Sequence, residues 1–257
     1  MLVLLSCAKT MSAVSKVKVP LTTSPRFQKE AAEIALQMSQ FSVDELERLL
    51  RVNAKIAGEN YKRYQAFHAE ATPELPALLA YTGIVFKRLN PKDFSAEDFG
   101  YAQEHLRLTS FCYGLLRPLD VIRAYRLEGD VVLPELGNQT LFSYWRSRLT
   151  DTFIEDIRSA GGILCNLASD EMKSLFDWKR VESEVRVVTP EFHVWKNGKL
   201  ATIVVYTKMS RGEMTRFILK NKIGNPEELK GFSWEGFEFD ESLSDEKKLV
   251  FINGMGE

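Results

Sequence analysis

Residues 105–128 constrain the fold most, because apolar residues alternate there with four arginines and only one aspartate and one glutamate. The apolar content favours burial, but burying an arginine without a partner is costly. We therefore expect either a cleft whose guanidinium groups bind phosphate or carboxylate, or internal ion pairs to Asp120, Glu128 or distant acids. Spacing alone leaves both possibilities open. The arginines are Arg107, Arg117, Arg123 and Arg126.

The borders of this stretch carry local signals. Ser95 and Asp98 form a capping box that predicts a helix leading into it, and Gly114 is expected to end that helix. Arg117 precedes Pro118, which favours an extended or turn conformation. The pattern therefore predicts an arginine that projects from a rigid turn.

Overall composition excludes several classes of protein. The chain has 257 residues, of which 45% are hydrophobic, so we expect one packed domain over residues 1–257 rather than disorder. Its formal net charge is only -1, which argues against a nonspecific polycation. Any anion binding must therefore come from local basic patches.

Cysteine usage and hydropathy predict a cytoplasmic, soluble protein. The chain has three cysteines, which is an odd number, and each has apolar neighbours, as is typical of reduced thiols. They are Cys7, Cys112 and Cys165. The opening apolar run is too short for a signal peptide, and no later run approaches a membrane-spanning length. We expect no membrane association.

Two short apolar runs predict strands that are buried on both faces, residues 2–5 and 163–167. Lys9 follows the first, while Asn166, Ser169 and Glu171 end or follow the second. Loops at the ends of such strands often bind ligands. Residues 184–195 and 200–206 alternate around Asn197-Gly198, which predicts a hairpin. The predicted fold class is therefore mixed α/β, with a mixed sheet surrounded by helices.

A helix pair is predicted over residues 42–68. Ser42 and Glu45 form a capping box, and the interruption at residues 57–60, which includes Gly58, predicts a hairpin between two helices. Such pairs can present hairpin amides to nucleic-acid phosphate, with Lys55 close by. An ordinary helical corner is the alternative.

Other helices are predicted over residues 27–39, over 138–160 with Asn138 as its cap, and over 225–231, with strands over 81–86, 131–133 and in the C-terminal tail. In residues 208–222, Ser210 and Glu213 form a capping box that predicts a helix start. Five basic residues oppose one acid there, and Arg211 is expected in the first helical turn, where an anion is favoured. The basic residues are Lys208, Arg211, Arg216, Lys220 and Lys222.

Recognisable catalytic and metal-binding signatures are absent from the sequence. The three histidines lie at no metal-ligand spacing from one another or from cysteine, so no metal and no cofactor are predicted. Cys7 near Lys9 permits a reactive thiol, although a buried inert cysteine is favoured. Glu128 and Glu171 are the candidate general acids or bases, and each could equally orient an arginine.

The motifs of the chain, in order, resemble the YaaA family of bacterial peroxide stress proteins. They are Ser6-x-Ala8-Lys9-Thr10, Asn53-x-Lys55-x-Ala57-Gly58, His105-Leu-Arg107, Tyr113-Gly114-x-Leu116-Arg117-Pro118-Leu119-Asp120, Tyr125-Arg126-Leu127-Glu128, Asn166-Leu-Ala-Ser169-Asp170-Glu171 and Lys208-x-x-Arg211-Gly212. The resemblance covers nearly the whole chain. One departure is Cys7, where the family usually has proline.

The resemblance implies a single α/β domain with a basic cleft, a helix-hairpin-helix element, DNA binding and a role in limiting oxidative damage linked to iron. The motif residues it carries over are Lys9, Lys55, Arg107, Arg117, Arg126, Glu128, Asn166, Ser169, Glu171, Lys208 and Arg211. Arg216 joins the candidate phosphate-binding residues because it lies in the basic segment.

Three functions compete at this point. The first is a monomeric stress protein that binds duplex or structured DNA without sequence preference. The second is an enzyme that acts in the same cleft on a phosphorylated or nucleotide-like substrate or a DNA end, so catalysis is left open. Direct iron or peroxide chemistry ranks last, because no ligand cluster and no peroxidatic cysteine setting is present.

Overall fold

The computed structural model describes residues 1–196 and 198–254. The strands are β1 (Leu2–Leu5), β2 (Leu75–Pro76), β3 (Leu106–Ser110), β4 (Gly114–Leu116), β5 (Val121–Ile122), β6 (Val132–Leu133), β7 (Gln139–Thr140), β8 (Ile163–Asn166), β9 (Arg186–Lys196), β10 (Lys199–Ala201), β11 (Phe237–Asp240) and β12 (Lys248–Asn253). Eight of them form a central mixed sheet in the order β11-β12-β9-β8-β1-β3-β4, with β10 paired to β9.

Helices surround the sheet. They are α1 (Gln28–Met38), α2 (Val43–Leu50), α3 (Ala54–Ala66), α4 (Ala77–Ala80), α5 (Ile84–Leu89), α6 (Ala96–His105), α7 (Leu141–Ser159), α8 (Asp170–Lys173), α9 (Trp178–Glu184) and α10 (Val204–Asn221). Short 3-10 turns cover Pro91–Asp93, Pro134–Leu136, Pro226–Gly231 and Glu241–Leu243. The mixed α/β prediction is confirmed. Within the described residues, no helix combines the length and apolar character needed to span a bilayer.

The central strands are parallel, and this places their carboxyl ends at one edge of the sheet. β1 pairs in parallel with β3 and β8, and β8 pairs in parallel with β9. All four residues of β1 have no exposed surface, so both faces of this strand are covered. The loops that follow β1, β3 and β8 therefore converge.

Several helices begin where the sequence predicts. Ser42 and Ser95 both form complete capping boxes, with Glu45 and Asp98 as the reciprocal partners. Helix α1 and the buried strands β1 and β8 also agree with the predictions. β9 and β10 pair antiparallel around Gly198, which has φ of 70°, while Asn197 lies outside the described residues. The hairpin itself is thus confirmed.

The predicted helix over the start of the arginine-rich stretch is wrong beyond His105. Residues 106–110 form the fully buried strand β3, because β1 supplies a parallel partner for its backbone. Gly114 ends no helix. It begins β4 with φ of 70°, and a Cβ there would lie 2.7 Å from the ring of Trp145. Glycine is required by both the backbone angle and the packing.

The hairpin predicted at residues 57–60 is also misplaced. Arg51 closes α2 in a left-handed conformation, and the Asn53 side chain caps α3 by accepting from the Ile56 amide. Gly58 lies inside α3, where the cap at Asn53 and burial of Ala57 and Tyr64 maintain the helix. The two helices are therefore joined by a short turn at residues 51–53.

Two further boundaries differ from prediction. Residues 81–86 form no strand: Tyr81 follows the short helix α4, and α5 begins at Ile84. Helix α7 is capped by Thr140, whose side chain accepts from the Ser143 amide, instead of by Asn138.

Helix α10 begins at Val204, although the alternating pattern predicts a strand over residues 200–206. Ser210 is fully buried inside the helix, where its position aligns with Met214 and Ile218 on the buried stripe. The capping box predicted at Ser210 and Glu213 is therefore wrong. Arg211 lies in the interior of the helix and not in its first turn, so it cannot act there with free helix amides.

Candidate functional site

A cavity of about 320 Å³ opens at the edge of the sheet where the parallel strands end. The loop after β1, the loop after β8 and Phe111 after β3 form three of its sides. Helices α5 and α10 and the segment after β5 complete it. Six of the residues singled out from the sequence line this space: Lys9, Arg126, Ser169, Glu171, Lys208 and Arg211.

Hydrogen bonds tie the loops of β1 and β8 together. The Ser169 amide donates to Ser6 Oγ at 2.9 Å, and the two hydroxyl oxygens lie 3.2 Å apart. The Cys7 amide donates to Thr109 Oγ1 at 3.2 Å, which ties the first loop to β3 as well. The loop that carries Lys9 is thereby held without the proline that is usual after Ser6 in the resembling family.

Small residues bring helix α5 against this loop. A Cβ built on Gly83 would lie 2.9 Å from the Cβ of Ala8, closer than real contacts allow. Glycine at the start of α5 therefore permits the close approach. As a result, Ile84 and Val85 can form a wall of the cavity.

Helix α10 presents two cations to the cavity. Lys208 and Arg211 are three residues apart, so both lie on one face of the helix. Gly212 allows α10 to pack closely against α5, because a Cβ there would lie 2.3 Å from the carbonyl oxygen of Val85. The contact between α10 and α5 thus explains the glycine that follows Arg211.

A buried carboxylate joins two of the cations. Lys9 Nζ donates to Glu128 Oε2 at 2.7 Å, and Arg126 Nη2 lies 3.6 Å from Glu128 Oε1. The Glu128 side chain is only 5% exposed, whereas that of Lys9 is 61% exposed. The hydroxyl of Tyr64 on α3 donates to the carbonyl of Arg126 at 2.6 Å and fixes the backbone at this residue.

Several polar atoms at the cavity lack hydrogen-bond partners. Among the described residues, the buried side-chain atoms without one are Arg126 Nε, Glu128 Oε1, Ser210 Oγ and Arg211 Nε. Three of these four belong to the cavity and its carboxylate. Burial lowers the pKa of the Arg211 guanidinium from its ordinary value, with only a partial opposing effect from Asp170. Buried donors without acceptors are costly, so an acceptor from a ligand would stabilise this arrangement.

Two cavity cations are free of carboxylates. Within residues 1–196 and 198–254, neither Lys208 nor Arg211 forms an ion pair, whereas Lys9 and Arg126 share Glu128. Glu171, on α8, is exposed at the same cavity. Four cations thus face two carboxylates, and this balance favours an anionic ligand.

The remaining wall of the cavity is apolar. Tyr125 lies there, and its hydroxyl is hydrogen-bonded to Ser110 Oγ at 2.6 Å and to the Tyr81 hydroxyl at 2.8 Å. Burial raises the pKa of both tyrosines well above the ordinary value, so both remain protonated. Met172 and Phe111 extend the apolar surface. The site can therefore bind an anionic group attached to an apolar or aromatic body.

Cys7 faces this cavity as a protonated thiol. Burial raises its pKa to about 12, with the hydrogen bond from Thr109 acting in the opposite direction. A reactive cysteine needs a lowered pKa, so the favoured interpretation of an inert thiol agrees with the structure.

Four other predicted phosphate-binding residues lie away from the cavity lining. Arg107 Nε donates to Asp156 at 2.6 Å in a buried pair, and Arg117 Nη2 donates to Asp120 at 2.9 Å. Arg216 forms two hydrogen bonds with Asp93. Lys55 is exposed on α3. Arg123, from the same stretch, pairs with Glu74. The arginine-rich stretch therefore contains both a cavity residue and internal ion pairs.

Asn166 does not line the cavity but stabilises the loop that carries Ser169. It ends β8 with only 2% exposure, and its Oδ1 accepts from the Ala168 amide at 3.2 Å. This contact shapes the turn that carries Ser169.

Over the described ranges, no group of three or more His, Cys, Asp or Glu side chains could hold a metal ion.

Sequence reasoning missed the contribution of α5. Gly83, Ile84, Val85 and Phe86 line the cavity, but the apolar run suggested a strand there. The glycine before the run was the available signal, since it is the N-cap residue of α5. Tyr125 was also missed, because a buried tyrosine has no sequence pattern of its own.

The comparisons with known proteins agree along the chain. A family model described as "Peroxide stress protein YaaA" matches residues 1–243. A UPF0246 protein of Bacteroides thetaiotaomicron is 98% identical over all of both chains, and one of Bacteroides fragilis is 78% identical over all of both. A UPF0246 protein of Crocosphaera subtropica is 38% identical, over 98% of this chain and 100% of its own.

Proposed function

The chain belongs to the peroxide stress protein YaaA family, and from this premise we propose that it acts in the oxidative stress response by binding DNA through its cationic cavity. Binding is to backbone phosphate and therefore independent of base sequence. The protein acts as a monomer in the cytoplasm. Its three cysteines are free thiols, as expected for a reducing compartment.

The main support for the proposal is that two guanidinium groups at the cavity each have a buried N–H donor without a hydrogen-bond acceptor. Arg126 and Arg211 come from distant parts of the chain, face one cavity and each have a buried Nε without an acceptor. Phosphate oxygens accept from guanidinium in bidentate geometry. A backbone phosphate in the cavity would offer acceptors to these guanidinium groups, and Lys208 would add a third positive charge.

Helices α2 and α3 supply a second contact with DNA in this proposal. Lys55 and Lys62 are exposed on α3 and form no ion pair with any residue in the described part of the chain, whereas Arg63 is bound to Glu59. The turn at residues 51–53 presents the start of α3. Lysines placed this way contact phosphates as point charges and act as a nonspecific clamp.

Binding of a short labelled duplex, measured by fluorescence anisotropy over a range of salt, tests the cavity. Each phosphate contact contributes about 0.9 to the slope of log K against log salt. We expect the Arg126→Met, Arg211→Met double variant to flatten that slope by about 2 units. Methionine keeps the unbranched apolar stem of the side chain but removes the guanidinium group and its charge.

Arg186→Met is the matched control. Arg186 is an exposed arginine at the amino end of β9, on the edge of the sheet opposite the cavity. Its loss should leave both affinity and slope unchanged. No binding of the wild-type protein to duplex at low salt, or equal effects of the two sets of variants, would remove the DNA-binding proposal.

An enzyme acting on a phosphorylated or nucleotide-like substrate, or on a DNA end, is the second candidate. The cavity is small, and it combines cations with Glu171 and the buried Glu128, whose Oε1 has no donor within hydrogen-bond distance. Nonspecific binding of backbone requires no carboxylates. An acid or base beside bound phosphate is what turnover requires.

Glu171→Gln separates the two candidates. If the site is catalytic, this variant should lose turnover of a nucleotide or a 5′-phosphorylated oligonucleotide while its affinity remains within a factor of two or three. If the site only binds, removing a negative charge should strengthen binding of phosphate slightly, and wild type and variant should both leave the ligand unchanged.

A further inference from the structure

A second concave surface lies beside the cavity, on the other side of α5. It encloses about 830 Å³ between residues 12–18 and the segment from α4 to Phe94. Its floor includes Leu78, Leu79 and Phe86, and the charged residues that line it are all lysines. We call it the lysine groove. The lysines are Lys16, Lys18, Lys87 and Lys92.

The charge of this groove is uncompensated. All four lysines are exposed, and none forms an ion pair within residues 1–196 and 198–254. Most arginines of the protein are by contrast paired with a carboxylate, as in Arg51–Asp130 and Arg216–Asp93. The chain as a whole has a formal net charge of -1, so this concentration of positive charge is local. A polyanion is the complementary partner.

The groove adjoins the cavity. Phe86 lines both spaces, and α5 contributes Ile84 and Val85 to the cavity and Lys87 to the groove. Tyr81, in the groove, is hydrogen-bonded to Tyr125, in the cavity, at 2.8 Å. The two spaces are therefore neighbours on the surface, separated by these buried side chains.

We propose that the lysine groove binds a single-stranded nucleic acid and leads one end of it into the cavity. Lysines on both the residue 12–18 segment and the segment from α5 to Phe94 suit a flexible backbone that follows the groove. A single strand also offers unpaired bases, which a duplex keeps stacked inside. The apolar floor suits bases, which contact such surfaces without sequence preference. This inference deepens the proposed cavity function and also predicts binding that does not depend on it.

Anisotropy with a fifteen-residue labelled oligothymidylate tests the groove. The variant carries Lys16→Ala, Lys18→Ala, Lys87→Ala and Lys92→Ala, and its folding is checked by circular dichroism. Each lost phosphate contact should flatten the slope of log K against log salt by about 0.7 for a single strand. We expect a flattening of 2 to 3 units and unchanged affinity for thymidine monophosphate, which reaches only the cavity.

The matched control is Lys179→Ala with Lys247→Ala, two exposed lysines outside both spaces. It should change neither quantity. The proposal is overturned if the groove variant binds the oligothymidylate like wild type, if a duplex of equal length loses as much affinity as the single strand, or if polyglutamate binds the groove and the single strand does not.

The two proposals fail separately. If the groove variant weakens single-strand binding while Arg126→Met with Arg211→Met has no effect on any ligand, the groove stands and the cavity function falls. If only the cavity variants weaken binding, the groove proposal falls.

Discussion

Replacing glycine by alanine at two helical positions should have effects of opposite sign. In α10, Gly212 faces the Val85 carbonyl, and a Cβ would lie 2.3 Å from that oxygen and 2.8 Å from the Arg88 Cβ. In α3, Gly58 has no atom within 4 Å of the same position. We expect Gly212→Ala to destabilise the protein and Gly58→Ala to stabilise it.

The magnitudes follow from helix propensity and packing. Alanine in a helix interior is favoured over glycine by about 0.5 to 1 kcal/mol, and Gly58→Ala should gain this amount. At Gly212 the same gain is opposed by a clash with backbone, which cannot rotate away. Overpacking of this kind costs about 1 to 3 kcal/mol, so the free energy of unfolding should fall by about 1 to 2 kcal/mol.

Urea unfolding followed by circular dichroism measures both values. With an m-value of about 3 kcal/mol/M, the midpoint of Gly212→Ala should fall by about 0.5 M, and that of Gly58→Ala should rise by about 0.2 to 0.3 M. Gly212→Ala should also weaken phosphate binding, because α10 must move and carries Arg211 with it. A Gly212→Ala protein as stable as wild type would refute the close packing of α10 on α5. A destabilised Gly58→Ala protein would refute the uninterrupted helix α3.

Three further outcomes are expected. Because its surroundings raise the pKa of Cys7 to about 12, iodoacetamide should modify this thiol slowly at pH 7; rapid modification would contradict the raised pKa. Hydrogen bonds from Arg216 lower the pKa of Asp93, so this carboxylate stabilises the fold above about pH 4, and the effect is lost as pH falls through the lowered pKa. Asp93→Asn should therefore show a shallower loss of stability on acidification, and an unchanged profile would refute the pairing. Arg107→Met should destabilise the fold by about 1 to 3 kcal/mol, because Asp156 loses the closer and more buried of its two arginine partners and keeps only Arg26. DNA affinity should not change after correction for folding; lost affinity in a folded variant would show that Arg107 contributes to binding.

Local chemistry explains what could be predicted of the fold. Ser42 and Ser95 cap their helices through residues three positions away, so the signal is contained in four consecutive residues. The signal for the strand Leu2–Leu5 is also local, because four consecutive apolar residues favour a strand with both faces buried. Predictions of this kind need no knowledge of partners.

Boundaries that depend on partners were missed. Leu106 to Ser110 follow a helix and resemble its continuation, but the register Val3 with Leu106 makes them a strand. Val204 and Val205 resemble a strand, but the burial of Met214 and Ile218 farther along anchors a helix that extends back to them. In each case tertiary contacts override local preference.

The same distinction applies to the arginines. The pairing of Arg117 with Asp120 is a contact across three residues and was among the alternatives visible in the sequence. Arg107 pairs with a residue 49 positions away, which spacing alone cannot indicate. The presence of Arg126 and Arg211 in one cavity depends on the sheet order and on the packing of α10. The candidate residue types were therefore predictable, but their division into cavity residues and internal pairs was not.

A structure of the protein with a bound 5′-phosphorylated thymidine dinucleotide is the most direct measurement of whether the cavity binds phosphate. We expect a phosphate in the cavity within hydrogen-bond distance of the Arg126 and Arg211 guanidinium groups. A phosphate bound elsewhere, with the cavity unchanged and both Nε atoms still without acceptors, would contradict it.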